Sequence, residues 1–400
     1  MRVLTVGNIY PPHHFGGYEQ VWQSAVAHLR DQGHEVRVLC TGYRHEGVPD
    51  GDEPGVDRSL GWYWRDHDFV RIAVRDRVRL ERRNHRALRR HLNDLRPDVV
   101  AFWSMGGMSH SLIEAVRRAG LPAAFFAHDV WLGYGRATDQ WTRIFQGPRR
   151  GLAAPLAERA LGIPARVDYG RAGRYVFVSD FVRRRVAELG LGIADTAVAH
   201  SGIDPLFLSP APRPDWAWRL LHVGRLHPDK GIQDAVAALA LLPEQATLTF
   251  AGTWDPREES SLGAQIADLG VGDRVTLLGH RTHEQIAGLY RSHDAVLFPV
   301  RWEEPWGLVP LEAMGCGCPV VATGRGGSGE YLRDGENCLL VPAARPDALA
   351  NAVRRLAGDP QLRAALVAGG ADTAPRHTEP IFNAAVERHL REVATGRPAA

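Results

Sequence analysis

The residues whose types and spacing carry the most chemistry lie between Phe298 and Glu330. Glu304 and Glu312 stand eight positions apart with Pro305 and Gly307 between them, so a loop carries the first carboxylate and an opening helix the second. Pro310 fits only the first turn of that helix, where its missing N–H costs nothing. The amides of Gly307 and Leu308 then point outward at the carboxyl end of a strand. An open α/β sheet binds its ligands there, and a helix start favours an anion. An anion flanked by two carboxylates suggests a phosphorylated sugar, with phosphates at the helix end and the carboxylates accepting hydrogen bonds from neutral sugar hydroxyls.

The elements that must position these groups are legible around them. Asp294 to Phe298 reads as a buried parallel strand, Leu308 to Met314 as the helix after it, and Cys318 to Ala322 as the next strand. Gly324 to Glu330 reads as a loop whose bare backbone can approach a ligand closely. Upstream, Arg219 to Val223 reads as a strand that runs into Gly224-Arg225 and Lys230-Gly231. Lys230 is the only lysine among 48 basic residues, in a chain that uses arginine wherever a positive charge suffices. That argues for a place where a planar fork does not fit. Strands at Ala246–Gly252 and Val275–Gly279 continue this second sheet, and prolines 205, 210, 212 and 214 mark a linker before it.

The totals bound the rest. Four hundred residues, 44% of them hydrophobic, suffice for two domains with separate cores. A formal net charge of +2 gives no global field that points to nucleic acid. Cys40, Cys316, Cys318 and Cys338 are too few and scattered for a disulfide framework, and Cys316-x-Cys318 has no second pair to complete a zinc site. The expectation is a chain with free thiols in a cytoplasmic setting, at most peripheral to the inner face of a membrane, without a leader or a run of ~18 apolar residues.

In the first half, Arg2 to Val6, His34 to Cys40, Asp98 to Trp103, Ala123 to Ala127 and Tyr175 to Ser179 read as strands, and Tyr18 to Gln32 as a helix closed by Gly33. The opening is Rossmann-like but lacks G-x-G-x-x-G, which weakens a nicotinamide reading. Tyr43 to Asp68 reads as a long surface loop bearing Trp62-Tyr63-Trp64, which either lines an acceptor site or packs onto its domain. Asp50-Gly51-Asp52 and Asp66-His67-Asp68 match a D-x-D metal motif formally, out of context. Arg71 to Arg96 reads as a strongly basic amphipathic helix, either a solvated face or a contact for anionic lipid. Residues 131–174 read as a mixed helical region.

The run from Glu304 to Ala322, with Gly326-Gly327 and Glu330 after it, closely resembles the E-x7-E signature of glycosyltransferase family 4, retaining enzymes of the GT-B fold. Gly224-Arg225-x4-Lys230-Gly231, Gly16-Gly17-x-Glu19, Gly33-His34-Glu35-Val36 and Gly202-Ile203-Asp204 resemble other motifs of that family. Ser201 stands where the family has Asn. The resemblance spans nearly the whole chain and is strongest from Arg219 to Pro342. It implies an α/β chain of two Rossmann-like domains facing across a cleft. The acceptor-binding domain is 1–204, the nucleotide-sugar-binding domain is 205–379, and a last helix at about 380–400 crosses back to the first. It assigns catalytic roles to His128, Glu304, Arg225 and Lys230, and substrate binding to Gly16, Gly17, Gly224, Arg281, Trp306, Gly307, Leu308 and Glu312. Arg225 and Lys230 suit adjacent phosphate oxygens, Glu312 the ribose and Glu304 the transferred sugar. The implied partners are a nucleotide-diphosphate sugar and a hydroxyl-bearing acceptor, a lipid, polysaccharide or secondary metabolite, with no metal or other cofactor. The alternatives are a non-catalytic nucleotide-sugar-binding subunit, or an epimerase or phosphorylase on the same fold. A phosphorylase needs a pyridoxal-phosphate lysine, and Lys230 is already assigned.

Overall fold

The computed structural model describes the chain except residues 15, 46, 50, 52, 65–68, 148–150, 212–214, 255 and 397–400. Both D-x-D matches and Pro212 and Pro214 therefore fall wholly or partly outside the described residues. The chain divides into two compact units, Met1–His200 with Phe382–Ala400, and Ser201–Ile381.

The first unit is built on seven parallel strands: β1 (Arg2–Val6), β2 (Glu35–Thr41), β3 (Val56–Leu60), β4 (Val99–Phe102), β5 (Ala123–Ala127), β6 (Arg174–Phe177) and β7 (Thr196–Val198). Their order is β3-β2-β1-β4-β5-β6-β7. Val3 pairs with Val36 on one side and Val99 on the other. Val3, Leu4, Val100, Phe102, Phe125 and Tyr175 are fully buried, as expected of a parallel sheet covered on both faces. The strand order reverses between β1 and β4, so their exit loops flank a crevice at the carboxyl edge.

One element of this unit departs from expectation: β3 lies inside the segment read as a long loop. Its sequence, Val-Asp-Arg-Ser-Leu, has only two apolar residues, and as an edge strand it is half-buried with an irregular register on β2. Its polar side chains act as tethers. Arg58 donates to the Tyr10 carbonyl at 2.8 Å, and Asp57 accepts from Arg90. The last helix, Glu379–Ala394, belongs to this unit from Phe382 onward. Asn383 donates to Ser24 Oγ at 2.9 Å, Glu387 lies 3.2 and 3.0 Å from the His28 and His34 rings, and Glu392 accepts from Arg174 at 2.5 Å.

The second unit carries β8 (Arg219–Val223), β9 (Thr247–Ala251), β10 (Val275–Leu277), β11 (Ala295–Phe298), β12 (Val320–Ala322) and β13 (Leu339–Leu340), in the order β10-β9-β8-β11-β12-β13. Its core joins Leu220, Leu248, Phe250, Leu297 and Val321 of the sheet to Val236, Leu349 and Val353 of flanking helices. Here the order reverses between β8 and β11. The loops leaving those two strands hold Arg225 and Lys230 on one side and Glu304 on the other.

Candidate active site

In the second unit the β8 exit loop makes a single 3-10 turn, Pro228–Lys230, capped by the His227 side chain and closed by Gly231. Gly231 has φ +72, and a Cβ there would lie 1.9 Å from the Pro299 carbonyl oxygen. Only glycine lets this turn lie against the β11 exit. Below the turn His222 is buried with its Nε2 3.2 Å from the Lys230 carbonyl oxygen, and burial pushes its ring down to about 4.

The β11 exit loop is fixed by a second contact. Arg301 makes a bidentate pair with the buried Asp234 at 2.6 and 2.7 Å, and its amide donates to the Asp229 carbonyl at 2.7 Å. With both loops held, Lys230 Nζ reaches Glu304 Oε2 at 2.6 Å. The same oxygen accepts from Trp302 Nε1 at 2.7 Å, and the Lys230 ammonium lies 5.0 Å from the centre of the Trp302 ring. Glu304 Oε1 accepts no hydrogen bond among the described residues. The Glu304 backbone pairs with the glycine loop, its carbonyl accepting from Gly327 at 2.7 Å.

The helix after this loop is short, Val309–Gly315, with Pro310 in its first turn as its missing N–H requires. The amides of Gly307 and Leu308 donate no hydrogen bond among the described residues. Glu312 is half-buried on that turn. Its Oε2 accepts from the Tyr290 hydroxyl at 2.7 Å, and desolvation holds its carboxyl above the ordinary range. Tyr331, fully desolvated, donates to the Gly307 carbonyl and feels both Glu304 and Glu312. Trp306 is buried: its Nε1 donates to the Ser201 carbonyl at 2.8 Å, and its ring lies against Tyr331 and His377.

Lys230, Glu304 and Trp302 are thus brought into contact, and Gly307, Leu308 and Glu312 follow them on the next turn. Arg225 is exposed with no carboxylate partner among the described residues. Arg281 is half-exposed and donates to its neighbour's carbonyl at 2.8 Å. Gly224 lies in the β8 exit loop with its amide on the Ala251 carbonyl at 2.9 Å. Trp302, Tyr290, Tyr331 and Asp234 were not singled out from sequence. Trp302, two residues before Glu304, was within reach of that reading because an indole N–H can brace a carboxylate.

In the first unit Gly16 caps the helix Gly17–Asp31, its amide donating to Glu19 Oε2 at 3.1 Å. His128 follows β5. Its ring stacks on Trp103 at 5.5 Å, with Tyr18 at 5.6 Å, and both ring nitrogens are buried, with no well-formed hydrogen bond among the described residues. Burial pushes this imidazole down to about 4, so it is neutral at pH 7.

Each unit is thus a doubly wound parallel sheet, and the second sets a Lys–Glu pair beside helix-start amides at its switch point. Residues 15–206 match the family model for Glycosyltransferase Family 4, and residues 210–372 match Glycosyl transferases group 1. The glycogen synthase of Mycobacterium tuberculosis is 36% identical over 385 residues, covering 90% of this chain and 87% of that protein. A D-inositol 3-phosphate glycosyltransferase of Stackebrandtia nassauensis is 34% identical over 203 residues, 45% of each chain. Among solved structures, sucrose-phosphate synthase from Thermosynechococcus elongatus superposes with a TM-score of 0.74 at 19% identity, over 99% of this chain and 100% of that one. Anabaena HepE, solved with UDP, gives 0.71 at 20% identity, over 98% and 100%. The chain belongs to glycosyltransferase family 4. It is an enzyme that transfers a sugar from a nucleotide-sugar donor.

Proposed function

We propose that the chain is a retaining glycosyltransferase that needs no divalent metal, with its donor held by Ser201–Ile381 and its acceptor by the first unit. The observation that carries this reading is the Lys230–Glu304 pair at 2.6 Å, at the reversal of the second sheet. A donor diphosphate competes with Glu304 for the ammonium, and Glu304 then accepts from the sugar hydroxyls. Arg225, Lys230 and the amides of Gly307 and Leu308 stabilise the negative charge that grows on the leaving diphosphate. Gly224 gives the diphosphate close backbone access, Glu312 takes the ribose hydroxyls through Oε1, and Arg281 borders the base. The bond between anomeric carbon and diphosphate oxygen breaks, its electron pair leaving with the phosphate. The acceptor oxygen bonds on the same face and passes its proton to a donor phosphate oxygen. Gly16 and Gly17 border the acceptor side, and His128, neutral, orients the sugar.

The supporting test is release of nucleoside diphosphate from a panel of UDP-, GDP-, ADP- and dTDP-sugars in excess EDTA. Turnover with one donor is expected. Loss of turnover on chelation, restored by manganese, contradicts the metal-free part of the reading.

A second surface favours a membrane-peripheral setting. The helix Val74–Leu95 buries Asn84, His85, Leu88 and Leu95 and exposes Arg75, Arg79, Arg82, Arg86 and Arg89. With the exposed Phe69, Val70 and Val74 beside it, this is a basic face with an apolar tip, suited to anionic lipid. No described helix is long and apolar enough to cross a membrane.

A further inference from the structure

Carboxylates across the first unit are paired with arginine: Glu53 with Arg30, Asp57 with Arg90, Glu114 with Arg117 and Asp180 with Arg183. Asp129, directly after His128 at the β5 exit, is an exception. Its Oδ1 accepts from the Trp131 amide at 2.9 Å and its Oδ2 from the Tyr134 hydroxyl at 2.8 Å, and it has no basic partner among the described residues. It is only half-buried, yet desolvation holds its carboxyl above the ordinary range with no nearby charge to offset the effect. A carboxylate left unpaired in such a place costs stability, which marks it as a candidate for function.

The surroundings hold Asp129 in place and leave it reachable. It lies just before the helix Trp131–Thr138, which carries Tyr134. The Tyr134 ring, 42% exposed, rests on the β4 exit loop, where a Cβ at Gly106 would come 2.6 Å from its hydroxyl. A glycine there makes room for the ring. Ser104 of the same loop donates its amide to the Tyr18 hydroxyl at 3.0 Å, and that hydroxyl donates to Asn8 Oδ1, at the β1 exit, at 3.3 Å. The Tyr18 ring lies 5.6 Å from the His128 ring. Asp129 thus belongs to a polar rim built from the exits of β1, β4 and β5, beside the reversal of the first sheet. Each of its oxygens has one bond in place and a second lone pair uncommitted among the described residues.

We propose that Asp129, aligned by Tyr134, binds the acceptor through two neighbouring hydroxyls, so that the acceptor presents an uncharged diol there and no phosphate. This inference rests on the reading of the first unit as the acceptor side. A sugar or cyclitol offers paired hydroxyl donors that match the two lone pairs side by side. A phosphate has no donor to give and meets a like charge, with no cation bonded to Asp129 to offset it. An ammonium meets a single anion amid the neutral Tyr18, Tyr134 and His128, and loses more hydration than one carboxylate returns.

The test is sugar transfer by the full chain from UDP-, GDP-, ADP- and dTDP-sugars to matched acceptors: glucose, maltotetraose and myo-inositol against glucose 6-phosphate, inositol 3-phosphate and glucosamine. An uncharged member should be preferred to its charged counterpart at least tenfold in kcat/KM. Asp129→Asn, which can keep both bonds to the protein, should raise the KM for that acceptor at least tenfold and reduce its preference over the phosphorylated counterpart to about threefold or less. A purely structural carboxylate leaves that preference unmoved. Tyr134→Phe, which releases one oxygen of Asp129, should raise acceptor KM about threefold with kcat within about twofold. Nucleoside diphosphate affinity should be unchanged in both variants, and cooperative melting reports that they fold. Preference for a charged member, an Asp129→Asn variant with the parent's KM and preference, or donor turnover with no uncharged member accepted overturns the inference and leaves the donor reading standing. If no donor is turned over, the donor reading itself fails.

Discussion

Lys230 Nζ and Glu304 Oε2 lie 2.6 Å apart, so the only lysine of the chain is bound to the carboxylate that the family resemblance assigns to the transferred sugar. The pair is largely shielded from water, with side-chain exposures of 18% and 11%. Removing one partner of such a pair costs more than the pair itself contributes, because the other is left charged and poorly solvated. In the function proposed above, donor binding exchanges one partner for another and avoids that cost: a phosphate takes the ammonium, hydroxyls take the carboxylate, and the Trp302 N–H keeps Glu304 in place through the exchange.

That proposal makes Trp302 a positioning residue. Trp302→Phe keeps the ring beside Lys230 and loses the N–H to Glu304, so kcat should fall about three- to tenfold, ~0.7 to 1.4 kcal/mol, with donor KM within about twofold. Steady-state kinetics with one donor checks this. A change confined to KM shows instead that the indole contacts substrate.

The two carboxylates should separate in kinetics. In its proposed role on the ribose, Glu312 binds a part of the donor that scarcely changes during reaction, so Glu312→Gln should mainly raise donor KM. In its proposed role on the transferred sugar, Glu304 senses charge developing at the anomeric carbon, so Glu304→Gln should mainly lower kcat, by about tenfold to a thousandfold, ~1.4 to 4 kcal/mol. The reverse pattern, in variants shown to fold, overturns the assignment of roles.

Much of this site was legible because its parts are local. Continuous apolar runs such as Ala295–Phe298 mark buried parallel strands, and Pro310 can occupy only a first turn. What sequence spacing does not carry is the tertiary partner. Tyr290 reaches Glu312 across 22 positions and Asp234 reaches Arg301 across 67, and neither has a local pattern that marks it. Trp306 sits within the motif, and its buried indole bonds to the Ser201 carbonyl, a contact made 105 positions away that the motif does not mark. Strand β3 escaped notice because an edge strand with polar tethers lacks the alternation that marks a half-buried one.

His128 and His222 are both held well below the ordinary histidine value by burial, at about 4 each. Between pH 6.5 and about 4 the unfolded chain binds protons at these rings that the native chain does not, so their contribution to stability is lost as pH falls through that window. Glu81, raised to about 7 by burial, acts in the opposite direction between pH 7 and 4.5. Ring-proton NMR across pH 4 to 8 should show the His128 resonance unchanged down to about pH 5, whereas a midpoint near 6.5 contradicts a buried neutral imidazole.

The arginine face of Val74–Leu95 gives a separate expectation. Vesicles containing phosphatidylserine should retain the protein at low salt and release it near 1 M, where the Debye length shortens to ~3 Å. Replacing Arg75, Arg79 and Arg82 with glutamine should weaken retention without changing nucleotide binding. Absence of retention at low salt leaves these arginines as a solvated face.

The central claim is that the switch point of the second unit grips a nucleoside diphosphate through Lys230 and Glu312. Isothermal titration with UDP, GDP, ADP and dTDP, in the presence of EDTA, tests it most directly. One of the four is expected to bind at a single site, with affinity at least tenfold weaker, about 1.4 kcal/mol, in Lys230→Ala and in Glu312→Gln. Binding that both variants leave untouched, or no binding by any of the four, contradicts the account.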